Sequence, residues 1–375
     1  MPRGRTPARP RVRRLKRGQT DTPCAGHAMA NDVDAFMATM VARSRPVPIE
    51  RAVAVVREHY GFETRAERLT GERDENFRLS APDGAEYVLK IASSAEEPAV
   101  TDLPTAALLH LEKIDPSFPC PRVLREPQGG SHVRFTDEDG HERTARVLTY
   151  LPGRLLGAAA RSQRQRAACG RTGARLTRAL HNFEHPAAYR VIVWDVRHAV
   201  QVRRLLEQLP HLPCRQAAAD LLERIVPIVE SQLPRLRQQV VHNDLNPLNI
   251  LVDPADEERV TGIIDFGDIT HTALIADVAV TAAELIPEDC IAKTGRAPAA
   301  VLDIATAYHE KLPLLQEELV VLGSLVAARL VANVVVHEWH RHRNPSGGHY
   351  AALAPDFIRA RLEIAGELLL EEFNV

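Results

Sequence analysis

Hydrophobic and polar positions change their spacing along this chain, and the change predicts two kinds of structure. From Ile49 to Tyr60 the apolar residues fall on one face of a helix, with Pro48 at its head and Gly61 at its end. The apolar runs that follow are short and are separated by Asp83-Gly84 and Asp139-Gly140, which are hairpin-turn signals. Beyond residue 153 the spacing is helical. We therefore expect strands in the first half of the chain and helices in the second.

One stretch in the helical half has a different pattern. From Val240 to Val252 an apolar run, a polar loop and a second apolar run predict strand, loop and strand. The loop carries Asp244 and Asn249 in the spacing H-x-D-x-x-x-x-N, and the next apolar run leads to Asp265 in the sequence DFGD. This arrangement is typical of phosphoryl transfer, in which the first Asp takes a hydroxyl proton while the Asn and the second Asp hold Mg²⁺.

These motifs resemble those of the aminoglycoside phosphotransferase-like, or choline-kinase-like, small-molecule kinases. The sequence HNDLNPLNILV followed by IIDFGD is most similar to the hydroxylysine kinase branch, and the resemblance runs from about Ile49 to about Tyr350. It implies an α+β, protein-kinase-like fold of two lobes. The N-lobe, residues 36–148, would be an antiparallel sheet with helices; residues 149–153 would be the hinge; and residues 154–375 would form a mostly helical C-lobe. ATP or GTP would be the co-substrate, with Mg²⁺.

The resemblance also implies where a nucleotide would bind. Gly71 and Asn76 lie in a polar loop that resembles the nucleotide loop of the family, although an ordinary hairpin would have the same pattern. Lys90, in an otherwise apolar strand, is the candidate for the α- and β-phosphates, and a solvent-facing Lys is the alternative. At the hinge, exposed backbone groups of Thr149 and Leu151 would meet the base.

Lys90 would be held by a carboxylate on the following helix, which we expect to begin near Pro104 and to end at Ile114. No Glu stands at the position that the family usually uses. The acidic choices are Glu97, Asp102 and Glu112.

Further residues of the second half have expected roles. His242 would support the catalytic loop, Asp268 would contact the metal, and Asp277 resembles a family carboxylate that braces the loop. For the substrate, the resemblance indicates Trp194 and Asp195, to which we add Arg329 in the C-terminal apolar run. Asp195 could bind an ammonium group, but it could also cap the helix that starts at Val196, and the sequence alone favours the cap.

Composition limits the class of protein. Of the 375 residues 45% are hydrophobic and 26% charged, as in globular proteins. Five cysteines without C-x-x-C spacing predict reduced thiols and a cytoplasmic location. The first 20 residues hold eight Arg or Lys, which leaves 39 basic against 49 acidic residues in the rest of the chain. An acidic body is a poor binder of nucleic acid.

We expect residues 1–35 to be a disordered basic tail. A basic arm for an acidic partner, a transit peptide and an over-long reading frame are the alternatives, and we favour the last, a tail without function, since all four Met residues lie within the first 40 and Met29 is a candidate start. The run from Leu319 to Val336 contains Ser324, Arg329 and Asn333, which favours a buried helix over a membrane span. The sequence therefore predicts no membrane partner.

The acceptor should be small. Only nine residues separate Asp268 from Val278, which leaves no room for the segment that docks a peptide in protein kinases. We therefore predict a phosphotransferase with an alcohol group as acceptor, and the resemblance makes 5-hydroxylysine the preferred one. The alternatives are another hydroxylated amine (an aminoglycoside, choline or homoserine) and a nucleotide-binding pseudokinase that serves as an interaction module.

Overall fold

The computed structural model describes residues 46–71, 73–287, 296–343 and 351–375. The expected basic tail over residues 1–35 lies outside the described residues. Within them the buried apolar side chains form two clusters, a smaller one around the N-terminal sheet and a larger one among the C-terminal helices. The predicted α+β fold of two lobes is therefore confirmed.

The N-lobe is one helix laid on an antiparallel sheet. Helix α1 spans Ile49–Tyr60, as the sequence predicts, and Gly61 ends it in the left-handed region with φ of 76°. The sheet has the order β1-β2-β3-β6-β4, and β5 pairs with the free end of β6. Its strands are β1 Arg65–Leu69, β2 Glu75–Ser80, β3 Glu86–Ile91, β4 Val123–Leu124, β5 Val133–Thr136 and β6 Glu142–Thr149.

The two faces of this sheet differ in chemistry. Phe77, Leu89 and Val147 are paired across β2, β3 and β6, and they are buried together with Val55 of α1. Because side chains alternate between faces along a strand, the residues next to them point the other way, toward the C-lobe. That second face carries the polar residues of the candidate site.

The helix between β3 and β4, α2, spans Pro98–Ile114, so it begins six residues before the predicted start and contains Pro104. Its apolar side chains belong to the larger core and not to that of the sheet. Arg175 holds Asp115 at the end of α2 with two hydrogen bonds, of 2.6 and 2.7 Å, and His110 lies 3.0 Å from the carbonyl of Ala179. Although α2 falls within the predicted N-lobe boundaries, it is anchored on the C-lobe.

The C-lobe contains helices and two small sheets. Its strands are β7 Arg154–Leu155, β8 Gln238–Val241, β9 Ile250–Asp253, β10 Asp256–Ile263 and β11 Thr270–Ala273, which pair as β7-β9-β10 and as β8-β11. Its helices are α3 Gln163–Ala179, α4 Ala199–Glu207, α5 Arg215–Gln232, α6 Leu274–Leu285, α7 Arg296–His309, α8 Gln316–Arg343 and α9 Pro355–Leu368.

Helix α8 is the centre of the C-lobe. It is long and apolar enough to span a membrane, but 89% of its most apolar window is buried inside the fold. It packs on α6, α5 and α9. The predicted buried helix is therefore confirmed, and its one buried arginine, Arg329, points into the candidate site.

Candidate active site

The predicted catalytic loop joins β8 to β9 and is held from below by α6. The backbone of Asn243 lies in the left-handed region with φ of 63°, a conformation that Asn tolerates better than most residues. Its N–H donates a 2.8 Å hydrogen bond to Asp277, so the predicted brace is confirmed. The Nδ1 of His242 accepts from the N–H of Asp244 at 3.3 Å, and burial lowers the pKa of His242 to about 4. His242 is therefore a neutral support of the loop.

The carboxylate of Asp244 is held at both oxygens. Its Oδ1 accepts from the Nη2 of Arg329 at 3.1 Å, and its Oδ2 accepts from the Nδ2 of Asn249 at 2.7 Å. Burial raises the pKa of Asp244 well above its ordinary value, while the guanidinium of Arg329 acts in the opposite direction. Arg329 therefore favours the ionised form, which a proton acceptor needs.

Arg329 lies behind Asp244, with a side chain that is only 4% exposed. Its Nε donates to Glu284 at 2.8 Å, its Nη1 donates to the carbonyl of Trp194 at 2.9 Å, and its guanidinium lies 5.0 Å from the centre of the Trp194 ring. Of the predicted substrate residues, the structure thus places Arg329 against Asp244 and Trp194 on the other side of Arg329. It gives Arg329 protein partners at all three nitrogens. Glu284, which completes the network, was not predicted, because nothing in its local sequence marks it.

The prediction that Asp195, the third candidate substrate residue, binds the substrate is wrong. Its side chain is fully buried, and its Oδ1 accepts from the N–H of Arg197 at 2.9 Å and from the hydroxyl of Thr272 at 3.1 Å. The carboxylate caps the 3₁₀ turn Val196–His198, which is the alternative that the sequence favoured. The other oxygen, Oδ2, lies 3.0 Å from the Nη2 of Arg197, and because the side chain is fully buried Asp195 is not available to a substrate ammonium group.

Asp265 lies at the far side of the cleft, after β10, with φ of 58°. It accepts a 3.1 Å hydrogen bond from the Nζ of Lys90, whose ammonium holds the pKa of Asp265 well below its usual range. None of the predicted carboxylates holds Lys90. Asp102 contacts His185 at 3.3 Å, and Glu97 and Glu112 are exposed. The docking of α2 on the C-lobe turns these side chains away from the sheet.

The loop between β1 and β2, which is the predicted nucleotide loop, reaches over the site through two ion pairs. Arg73 pairs with Asp268, and Asp74 accepts from Arg146 of β6 at 2.7 Å. A Cβ at Gly71 would lie 2.2 Å from the carbonyl oxygen of Asp74, so this turn requires glycine. Sequence reasoning missed the roles of these charged residues. For Arg146 a signal existed, since it stands between apolar neighbours in its strand just as Lys90 does.

A single cleft brings these groups together, with the sheet above it and the catalytic loop below. The side chains and backbone that line it belong to Arg73, Asp74, Asn76, Lys90, Glu96, Val100, Thr101, Pro104, Arg146, Asp244, Asp265, Gly267 and Asp268. Five predicted site residues are among them. Glu96 was missed; burial raises the pKa of its carboxyl group.

The predicted hinge residues lie outside this cleft. Thr149 is the last residue of β6, and its N–H and hydroxyl are both bonded to the backbone of Arg122 at 2.9 Å. The N–H of Thr149 is therefore not open to a base, contrary to the prediction. Leu151 lies in the linker from β6 to β7, and its side chain packs closely on Gly262 of β10: a Cβ added at Gly262 would lie 3.0 Å from it.

The predicted metal ligands offer oxygen donors only. Asn249 supplies an amide, and Asp265 and Asp268 supply carboxylates that now face Lys90 and Arg73. Among the described residues no group of three or more His, Cys, Asp or Glu side chains could hold a metal ion by itself. Mg²⁺ prefers oxygen, keeps several waters and shares one or two carboxylates with substrate phosphates. The donor set fits such a shared ion.

The model of one protein family, described as the phosphotransferase enzyme family, matches residues 65–316, which include the whole cleft. The chain belongs to this family. Its enzyme class, a phosphotransferase that acts on hydroxyl groups of small molecules, agrees with the sequence prediction.

Relatives within the family carry kinase names. Hydroxylysine kinase from Mus musculus is 26% identical over 336 residues, which are 82% of this chain and 87% of that protein. Homoserine kinase from Methylobacillus flagellatus is 29% identical over 239 residues, 63% of this chain and 67% of that protein.

Solved structures share the fold at low identity. Amicoumacin kinase hAmiN in complex with AMP-PNP, Ca²⁺ and Ami superposes with a TM-score of 0.63 at 16% identity, over 84% of this chain and 93% of that one. The microcompartment-associated aminopropanol kinase superposes with a TM-score of 0.59 at 17% identity, over 86% and 95% of the two chains. These likenesses place the cleft between the lobes of a kinase-like fold.

Proposed function

We propose that the protein transfers the γ-phosphoryl group of ATP or GTP to a hydroxyl group of a small, amine-bearing metabolite, with 5-hydroxylysine as the preferred acceptor. The observation that carries the proposal is the cleft itself. Asp244, which is held by Arg329 and Asn249, faces a second group in which Lys90 pairs with Asp265. A proton acceptor and a phosphate-binding set in one cleft are what phosphoryl transfer to an alcohol needs.

In the proposed reaction the acceptor hydroxyl lies against Asp244. Its oxygen forms a bond to the γ-phosphorus while the bond to the β-bridging oxygen breaks, and its proton passes to the carboxylate. Burial makes the Asp244 carboxylate a stronger base by raising its pKa, and Arg329 limits that rise; a proton acceptor of this kind is worth on the order of 10²- to 10⁴-fold in rate. Alignment of the two reactants contributes separately, because the enzyme has little covalent chemistry to perform.

Asn249, Asp265 and Asp268 would hold Mg²⁺ together with the phosphates. When bound, the ion offsets the negative charge of the nucleotide and of the group in transfer. The side chain of Asp265 is half exposed to the cleft, which supports this role. Lys90 and Arg73, which now neutralise the two carboxylates, would then turn to the phosphates.

The choice of acceptor rests on the relatives and on the surroundings of Asp244. Four hydroxylysine kinases match this chain at 23–26% identity, and the homoserine kinase match is a reason to keep that amino alcohol as the second candidate. The half-buried ring of Trp194 suits the amine end of such an acceptor, because aromatic faces attract ammonium groups.

The test is phosphate transfer from Mg²⁺-ATP and Mg²⁺-GTP by the purified protein to a panel of acceptors. The panel holds 5-hydroxylysine, homoserine, choline, an aminoglycoside and lysine, which is the matched control because it lacks only the hydroxyl group. We expect transfer to 5-hydroxylysine and none to lysine. Transfer to homoserine alone would move the assignment to the second candidate. Nucleotide binding without transfer to any hydroxylated amine would refute the kinase proposal and favour the pseudokinase alternative.

A further inference from the structure

A second cation stands beside Lys90 on the sheet. Asn76, Lys90 and Arg146 are direct partners across β2, β3 and β6, and all three line the cleft. Opposite residues on neighbouring antiparallel strands have Cβ atoms about 4.5–5.5 Å apart and point to the same face. The side chains of Lys90 and Arg146 therefore leave the same face of the sheet and enter the cleft.

Arg146 is buried and only partly satisfied. Its side chain is 4% exposed, and its Nη2 donates to Asp74 at 2.7 Å. Its Nη1 is buried without a hydrogen-bond partner among the described residues. An unpaired donor on a buried cation is costly, so a residue of this kind points either to a strained support or to an anionic ligand that completes it. The position beside Lys90 favours the ligand.

We propose that Arg146 is a second phosphate-binding residue, which donates hydrogen bonds to nucleotide phosphate oxygens together with Lys90. The carboxylate of Asp74 occupies the position of a phosphate oxygen until the nucleotide binds. The inference rests on the proposed function, since it assumes that nucleotide phosphates enter this cleft. A guanidinium suits the role because its planar set of donors matches phosphate geometry. The carboxylate of Asp74 is the anion that a phosphate oxygen would displace from Nη2.

The competing explanation is that Arg146 braces the nucleotide loop through Asp74 and never touches a phosphate. The two explanations predict opposite effects of Asp74→Asn on nucleotide affinity. If Asp74 is a stand-in for phosphate, Asp74→Asn removes a competing anion and nucleotide binds more tightly. If the pair is a brace, Asp74→Asn loosens the loop and nucleotide binds less tightly, to the same extent as with Arg146→Met.

The experiment is calorimetric titration of the wild type and of Arg146→Met, Arg146→Lys and Asp74→Asn with Mg²⁺-ATP, and with adenosine as the matched ligand without phosphates. We expect Arg146→Met to weaken Mg²⁺-ATP binding on the order of tenfold or more and to leave adenosine binding unchanged. Arg146→Lys should recover part of the loss, and Asp74→Asn should bind Mg²⁺-ATP more tightly than the wild type.

Equal weakening by Asp74→Asn and Arg146→Met would overturn the inference, as would an equal loss of ATP and adenosine binding in Arg146→Met. If Arg146→Met does not fold, the sign of the Asp74→Asn effect decides alone. The assumption that nucleotide enters this cleft fails in a different way, because the wild type itself would then bind neither Mg²⁺-ATP nor Mg²⁺-GTP. A wild type that binds nucleotide but transfers no phosphate would refute the proposed function and leave the inference about Arg146 standing.

Discussion

Replacing Arg329 with Met should destabilise the fold and the catalytic loop together. The side chain of Arg329 is 4% exposed and contacts Asp244 at 3.1 Å and Glu284 at 2.8 Å. Its loss leaves two carboxylates in the interior without the cation that opposes their burial. Breaking a buried ion pair in this way costs about 3–5 kcal/mol, so we expect the free energy of unfolding to fall by about that amount at pH 8.

The loss should depend on pH, and its sign follows from the carboxylates. Burial already raises the pKa of Asp244, and Arg329 counteracts it; for Glu284 burial also acts upward, but Arg329 and its other partners hold the pKa below its usual value. Without Arg329 the pKa of Asp244 rises further, and that of Glu284 rises above its value in the unfolded chain. A group of that kind contributes stability at low pH that is lost as the pH rises through its folded pKa. The deficit of the variant should therefore be larger at pH 8 than at pH 5.5.

Urea unfolding at the two pH values measures this difference, and Arg329→Met combined with Glu284→Gln is the matched control. The double variant should recover part of the stability, because a neutral amide replaces one of the uncompensated carboxylates. In phosphate transfer, Arg329→Met should move the acidic limb of the kcat/KM profile to higher pH, since Asp244 would be protonated more easily. A loss below about 1 kcal/mol that is equal at both pH values would refute the reasoning.

Three further predictions concern the rest of the site. Lys90→Met should raise the nucleotide KM while leaving Tm near that of the wild type, and wild-type kinetics would show that Lys90 does not bind nucleotide. Burial raises the pKa of Asp277 to about 6 from 3.8. The protonated form therefore stabilises the fold below about pH 4, and the free energy of unfolding should fall by about 3 kcal/mol as the pH rises through 6. Urea titrations of Asp277→Asn should show a smaller fall over this pH range. Gly71→Ala should raise the nucleotide KM several-fold, because its Cβ would lie 2.2 Å from the carbonyl oxygen of Asp74; an unchanged KM would show that the loop does not contact nucleotide.

Elements with local signals could be predicted from the sequence. The helix Ile49–Tyr60 was predicted with its observed ends, because Pro48, Gly61 and a regular apolar face all agree. The strand-loop-strand around Asp244 and the cap at Asp195 likewise depend on neighbours within a few residues.

The start of α2 was predicted wrongly for a local reason. Pro98 and Pro104 both fit the first turn of a helix, and the sequence offers no rule to choose between them. The observed helix begins at the first proline and tolerates the second.

The ion pairs of the site could not be predicted, because they join distant parts of the chain. Lys90 and Asp265 are 175 residues apart, and Arg329 and Asp244 are 85 apart. Helical or strand periodicity carries no information at such separations. The family resemblance predicts a partner for Lys90 on the next helix, but α2 docks on the C-lobe and Asp265 is the partner instead.

The most direct test of the account compares Asp244→Asn with Asp265→Asn in nucleotide titration with and without Mg²⁺ and in steady-state phosphate transfer. We expect Asp244→Asn to keep Mg²⁺-nucleotide binding and to lose turnover by on the order of 10²- to 10⁴-fold. Asp265→Asn should weaken the Mg²⁺-dependent part of nucleotide binding, because a neutral amide is a poorer ligand for this ion. If Asp244→Asn transfers phosphate to a good acceptor at the rate of the wild type, the assignment of this loop as the catalytic one is wrong.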